Sequence, residues 1–451
     1  SAVGLGNIWK FPYITGENGG GAFVLVYLAC ILVIGVPIMM AEIMLGRRGR
    51  QSPINTMRDL SIEAGHSTHW QYLGWLGVIA GFLILSYYSV IAGWALSYIF
   101  RAASGVFTDA SVEVVKTEFV SLVGDPEKLV AWHSLFMVLT MFVVARGVQG
   151  GLEKAVKFLM PSLFIILILL VGYSMQNGEF NMAVKFLFTP DFEALFYKTD
   201  AQGNEYMSWN AVLIAMGHAF FTLSLGMGAI MVYGSYLPAD TSIAKTTFMI
   251  AAADTIVALM AGLAIFPIVF ANNLEPGSGP GLIFNTLPFA FGHMDGGIIF
   301  GTLFFVLLSF AAWSSSISLI EPAVAWLVEN LSLSRIKASV LMGIACWAVG
   351  LLTVFSFNIW SDVKPLADIK IFKDATIFDL LDYLTANIML PLGGLLIAIF
   401  SVWIMSREAS MEELDMGDRP GYKLWRFLVR YITPIAVLIV FLNVLGILTF
   451  K

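Results

Sequence analysis

Cysteine is almost missing from this 451-residue chain: only Cys30 and Cys346 occur, and both lie inside apolar runs. With no cysteine pair in any loop, a disulfide framework or a thiolate metal cluster is excluded, and both residues read as small buried hydrophobes. Charge is scarce as well. Asp, Glu, Lys and Arg make up 12% of the residues, about half of the roughly 25% usual in soluble domains. That shortage excludes a water-soluble fold with an ordinary charged surface. No cleavable signal peptide is expected, because the first residues read as membrane-type sequence. No phosphate loop and no nucleophile–base set stand out, so nothing points to an enzyme. His66 and His69 have metal-like spacing, yet they fall in a polar loop without further ligands.

What the chain has instead is apolar length. Hydrophobic residues reach 58%, and runs such as Phe23 to Leu45 and Phe158 to Met175 recur from end to end. A helical span of the hydrocarbon core takes roughly 20 apolar residues. The pattern predicts an all-α polytopic membrane protein with eleven transmembrane helices, over 1–16, 22–48, 71–102, 131–147, 152–175, 209–236, 244–271, 298–331, 336–357, 376–406 and 424–449. The stretch before Gly4 is too short to span, so part of the first helix and a cytoplasmic tail are expected to precede Ser1. With that start in the cytoplasm, the inner connections hold more Lys and Arg than the outer ones. This predicts a cytoplasmic amino terminus and an external carboxyl terminus.

Two of the expected helices carry small-residue breaks: "SAVGLGN" in the first and "TLSLGMGA", Thr222 to Ala229, in the sixth. Five helices separate their starts, so the second unit enters from the opposite side. Paired glycine-interrupted segments at matching places point to an inverted 5+5 repeat with unwound helices 1 and 6 and a midplane site. Close helix packing is the other use of such glycines. Oxygen-bearing side chains gather at the breaks: Asn7, Thr222, Ser224, Asp254, and Ser314, Ser315 and Ser316 in the eighth helix. A set of oxygens alone suits an alkali cation, although serines in membrane helices also simply bond back to the preceding turn.

"AVGLGNIWKFPY", "ENGGGAF", "EIMLGRRG", "FFTLSLGMGAI" and "SSSISLIEP" resemble the signature segments of the neurotransmitter:sodium symporter family, especially its eleven-helix bacterial amino-acid members. The likeness runs in order along essentially the whole chain. It implies a first repeat over 1–175 with its first helix truncated, an external loop over 176–208, a second repeat over 209–406, and an inner loop with helix 11 over 407–451. It also implies two sodium ions, with no organic cofactor and Na+ as the only metal. The first sodium site resembles the Ala2 carbonyl, Asn7, Thr222 and Asp254, completed by the substrate carboxylate. The second resembles the carbonyls of Val3 and Ala311 with the hydroxyls of Ser314 and Ser315. Asp254 departs from the asparagine common at its position, and a fixed carboxylate there could replace the anion that chloride-dependent relatives need. Chloride-independent transport is therefore expected.

Substrate is expected against Ala2, Gly4, Gly6, Ile84, Tyr88, Phe221, Thr222, Ser224, Met227, Ser316 and Leu319. Gly4 leaves room for a carboxylate where monoamine-carrying relatives have an aspartate, and Tyr88 matches the tyrosine that binds it. The side-chain lining has no charge, which favours bulky aliphatic and aromatic L-amino acids. Lys10 and Asp382 resemble an outer gate pair. Tyr236 and Glu329 resemble inner gate residues whose basic partner is expected in the tail. Glu42 resembles the glutamate that caps freed amides of helix 6. Gly151 and Pro161 have the spacing that relatives use to unwind helix 5. The resemblance thus implies sodium-coupled symport into the cell by alternating access, in the inner (cytoplasmic) membrane. Its partners are the amino acid, sodium and the bilayer, with no nucleic acid. A non-transporting amino-acid-binding receptor or scaffold of the same fold is the alternative.

Overall fold

The computed structural model describes residues 3–199, 205–276, 281–369 and 372–444. Nine helices among them are long and apolar enough to cross a membrane. We label the main helices in chain order. The first half holds α1 (Phe11–Glu17), α2 (Gly21–Gly49), α3 (Thr68–Ala103), α4 (Pro126–Ala145) and α5 (Gly150–Asn177). The second holds α6 (Asn210–Thr222), α7 (Ala229–Tyr236), α8 (Ile243–Ala271), α9 (Gly297–Leu331), α10 (Arg335–Ser356), α11 (Ile377–Ile404) and α12 (Pro420–Asn443).

Most expected spans fall within a few residues of the observed ones, and the departures have local causes. The fourth starts earlier than expected, because Asp125 caps the Lys128 amide at 3.1 Å with Pro126 at the first helical position. The sixth is two helices, α6 and α7, with an irregular link. The stretch expected as an external loop carries helices at Phe180–Phe188 and Phe192–Phe196. It also carries a hairpin that pairs Tyr197–Thr199 with Glu205–Met207. Between α2 and α3 runs a further helix, Pro53–Glu63, with several buried side chains. Outward positions are apolar, with Val138 65% and Ile344 61% exposed, as expected when hydrocarbon rather than water is the solvent.

Two apolar clusters form the interior. One joins α3, α4, α5, α9 and α10, and α9 packs most extensively on α3. The other joins α1, α2, α6 and α12, while α8 and α11 contribute to both. The two broken segments belong to both clusters: Val3, Leu5 and Ile8 sit in the first and Phe11 and Ile14 in the second. Likewise Met227 and Ala229 lie in the first, while Leu223, Leu225 and Ile230 lie in the second. The breaks therefore sit on the seam between two packed bodies.

Candidate functional site

The seam is where regular backbone stops. Between α6 and α7 the chain passes through left-handed conformations at Ser224 (φ 56°), Gly226 (φ 79°) and Gly228 (φ 76°). Glycine takes such values without strain, and at Gly226 it is also required by space. A Cβ there would lie 2.5 Å from the Leu390 carbonyl oxygen. The freed Gly226 amide donates at 2.5 Å to Oε1 of Glu42, a fully buried residue of α2. An amide left unpaired in such a place costs several kcal/mol, and the carboxylate removes that cost. At the other break, a Cβ on Gly4 would overlap Ser315 Oγ and come within 3.4 Å of the Tyr88 hydroxyl.

One oxygen cluster centres on Asp254, which is fully buried on α8. Asn7 donates to Asp254 Oδ1 at 2.7 Å and to its carbonyl at 3.0 Å. The Thr222 hydroxyl donates to Oδ1 at 3.0 Å, and the Tyr27 hydroxyl to Oδ2 at 3.3 Å. Asn7 Oδ1 in turn accepts the Gly4 amide at 2.9 Å. Among the described residues, every hydrogen-bond partner of this carboxylate is neutral. A buried charge held only by neutral dipoles favours a cation close by. Ala2, expected here and against substrate, lies outside the described residues.

A second cluster forms where α9 passes the start of the chain. The Val3 carbonyl accepts from Ser314 Oγ at 3.1 Å and Ser315 Oγ at 3.3 Å, and Ser314 Oγ also reaches the Ala311 carbonyl at 3.0 Å. Hydroxyls that donate to these carbonyls can turn a lone pair to an incoming cation instead, so the same four residues suit a hard ion.

Between the clusters is a cavity of about 30 Å³, enough for water and too small for a large side chain. Gly4, Gly6, Thr222 and Ser224 line its backbone end; Ile84, Tyr88, Phe221, Met227 and Leu319 line the rest. The Tyr88 hydroxyl accepts the Leu5 amide at 3.4 Å. Ser316 does not face this cavity. It bonds Thr140 Oγ1 on α4 at 2.9 Å and donates to the Trp313 carbonyl. Ser315, Ser318 and Leu319 share the cavity face, because helical positions three and four apart align while the next residue points elsewhere.

The outer gate residues are arranged differently from expectation. Lys10 and Asp382 form no ion pair; Lys10 Nζ lies 4.6 Å from the Phe221 ring centre. On the other side Tyr236 and Glu329 have separate partners. Tyr236 donates to Glu321 Oε1 at 3.0 Å, and Glu321, fully buried, pairs with Arg335 at the start of α10. Arg335 also donates to the Val144 carbonyl at 2.9 Å. Glu329 accepts the Ser52 amide at 2.9 Å and Asn55 Nδ2 at 2.9 Å, at the N-terminus of the Pro53–Glu63 helix, where a carboxylate suits the helix dipole. In α5 the stretch from Gly151 to Pro161 is wound, with a π turn at Val148–Leu152.

Sequence reasoning missed Tyr27, Ser318 and Glu321. For Glu321 a signal existed, since an acid inside the apolar run "SLIEPAV" needs a partner. Tyr27 gave none, because a tyrosine in an apolar helix reads as core.

Comparisons agree along the whole chain. The model of the Sodium:neurotransmitter symporter family matches residues 1–121 and 106–450. The sodium-dependent transporter YhdH of Bacillus subtilis is 38% identical over 100% of this chain and 95% of its own. A sodium-dependent transporter of Haemophilus influenzae is 33% identical over 98% and 94%. The crystal structure of MhsT in complex with L-phenylalanine superimposes with a TM-score of 0.87 at 41% identity, over 98% of this chain and 96% of that one.

Proposed function

The chain belongs to the sodium:neurotransmitter symporter family, and from that premise we propose that it imports hydrophobic L-amino acids, aliphatic and aromatic, together with two sodium ions. As a member it is a sodium-dependent multi-pass membrane transporter. The observation that carries the finer reading is the convergence of Asn7 and Thr222 on the Asp254 carboxylate beside two broken helices. Such a site is costly to keep in a membrane without a ligand. The Val3, Ala311, Ser314 and Ser315 oxygens supply the second ion's shell.

The substrate carboxylate fits the space beside Gly4 and Tyr88, where it would complete the first ion's coordination. Each ligand then raises the affinity of the other. The uncharged lining and a flexible Met227 favour bulky apolar side chains, and the phenylalanine held by MhsT supports this class. The cavity has to widen to admit them. The seam between the two apolar clusters is the surface along which one body would rock on the other around a fixed site.

In this reading the described helices belong to eleven spans in two inverted repeats, 1–175 and 209–406. The amino terminus is cytoplasmic, in the inner membrane, and Asp254 makes transport independent of chloride. Uptake of labelled leucine and phenylalanine into proteoliposomes under an inward sodium gradient tests the reading. Sodium-dependent binding without uptake would favour a receptor. Equal competition by glutamate or lysine would overturn the substrate class.

A further inference from the structure

Arg430 on α12 carries a charge that the protein does not answer. It makes no hydrogen bond and no ion pair among the described residues, and its buried Nε has no acceptor. Its guanidinium instead lies 4.3 Å from the centre of the Trp403 ring and 5.6 Å from that of Tyr431. A guanidinium stays protonated and offers five N–H donors. Leaving them unmet inside a membrane-spanning helix is expensive.

The neighbourhood is built rather than incidental. Arg430 sits in a π turn, Leu428–Ile432, and Trp403 in another, Phe400–Ile404, that closes α11; the two turns touch. Widened turns of this kind often mark functional positions. The chain leaves α11 straight after Ile404, at an extended Met405, so Trp403 stands at a helix end, the level at which tryptophan meets lipid headgroups. Trp403 is 53% exposed, and Leu424 and Phe427 on α12 are exposed as well.

Three acids of the connection between α11 and α12 are committed elsewhere. Asp418 pairs with Arg407 and Lys423, Glu413 with Arg47, and Glu412 with Arg48. No acidic residue follows Asp418 in the sequence. Arg426, one turn before Arg430, is satisfied by the Val402 carbonyl at 3.1 Å and the Tyr422 hydroxyl at 3.4 Å. Its charge therefore adds to that of Arg430 without consuming it.

We propose that Arg430, stacked on Trp403, binds the phosphate of an anionic phospholipid in the leaflet at the α11–α12 junction. At that level the available acceptors are phosphodiester and ester oxygens, and an arginine fork matches a phosphate in two parallel bonds. Lys423 and Arg426 disfavour a headgroup that carries its own ammonium. The proposal needs only that the chain sits in a bilayer, not the transport reading.

Native mass spectrometry of the intact protein from nanodiscs containing phosphatidylglycerol or phosphatidylcholine tests it. The unaltered chain should retain phosphatidylglycerol over phosphatidylcholine, and R430Q should lower that retention about fivefold, the weight of one basic residue at a charged surface. R430K, which keeps the charge but loses the fork and the stacking on Trp403, should fall between R430Q and the unaltered chain. Equal retention by R430Q, or equal retention of the two lipids by the unaltered chain, would overturn the proposal. So would displacement of the lipid by millimolar inorganic phosphate, which would make the site a soluble-anion site. If R430Q does not fold, the comparison of the two lipids on the unaltered chain decides alone.

Discussion

Asn7 donates from one amide nitrogen to both the side chain and the backbone of Asp254, at 2.7 and 3.0 Å. A residue of the broken first helix is thereby clamped to the middle of α8, and its Oδ1 is spent on the Gly4 amide. The clamp sets where the Val3 and Gly4 backbone points, so the positions proposed for ion and substrate would depend on the same three bonds.

Asp254→Asn keeps the shape and removes the charge. Sodium-dependent substrate binding, measured by scintillation proximity, should weaken by roughly tenfold or more, within the usual range for coupled ligands. Uptake by the unaltered chain should be the same when gluconate replaces chloride. A collapse there would sink the idea that this carboxylate replaces an anion.

Gly4→Ala puts a methyl group against Ser315 Oγ, on the wall of the second cluster. Both the substrate affinity and the sodium dependence should suffer. If only the substrate affinity changes, the two sites are less tightly joined than the geometry implies.

Ser316→Ala removes the bond to Thr140 on α4. The expected cost is about 1 kcal/mol of stability, as for other polar pairs between membrane helices, read as a lower melting temperature with an unchanged KM. A marked change in amino-acid preference would return Ser316 to the pocket.

Glu321→Gln leaves Arg335 without its carboxylate while Tyr236 keeps an oxygen to donate to. Breaking a buried pair from one side costs about 3 kcal/mol. The double variant with Arg335→Gln should recover part of the lost melting temperature. No recovery would mean that the pair contributes little.

Pro161→Ala removes the proline from the wound part of α5, and helix there becomes cheaper. If unwinding releases an ion, uptake should slow while sodium-dependent binding stays. A parallel loss of both would assign Pro161 to the fold instead.

Much of this was legible in sequence, for reasons that can be named. Apolar length located α8, α9 and α10 within a residue or two at most ends, since a span must satisfy its own backbone. Gly226 and Gly228 announced the broken sixth helix, because few other residues tolerate φ near +79° and +76°. The helices at Phe180–Phe188 and Phe192–Phe196 were hidden, as short amphipathic segments leave little periodic signal. Ser316 faces Thr140 rather than the cavity, because among three consecutive serines only the rotation of α9 decides which one lines it.

The sequence by itself determined that the chain lives in a bilayer, where its helices break, and which oxygens stand near the breaks. Those properties are local: apolar run length, glycine, and residue type. Partnership was decided by the tertiary structure. Lys10 lies over Phe221 rather than paired with Asp382, Tyr236 meets Glu321, and Arg430 stacks on Trp403 with no ion pair among the described residues. Charged side chains are long and pair through hydrogen bonds that need near-contact geometry, so their partners depend on how helices far apart in sequence are rotated against one another.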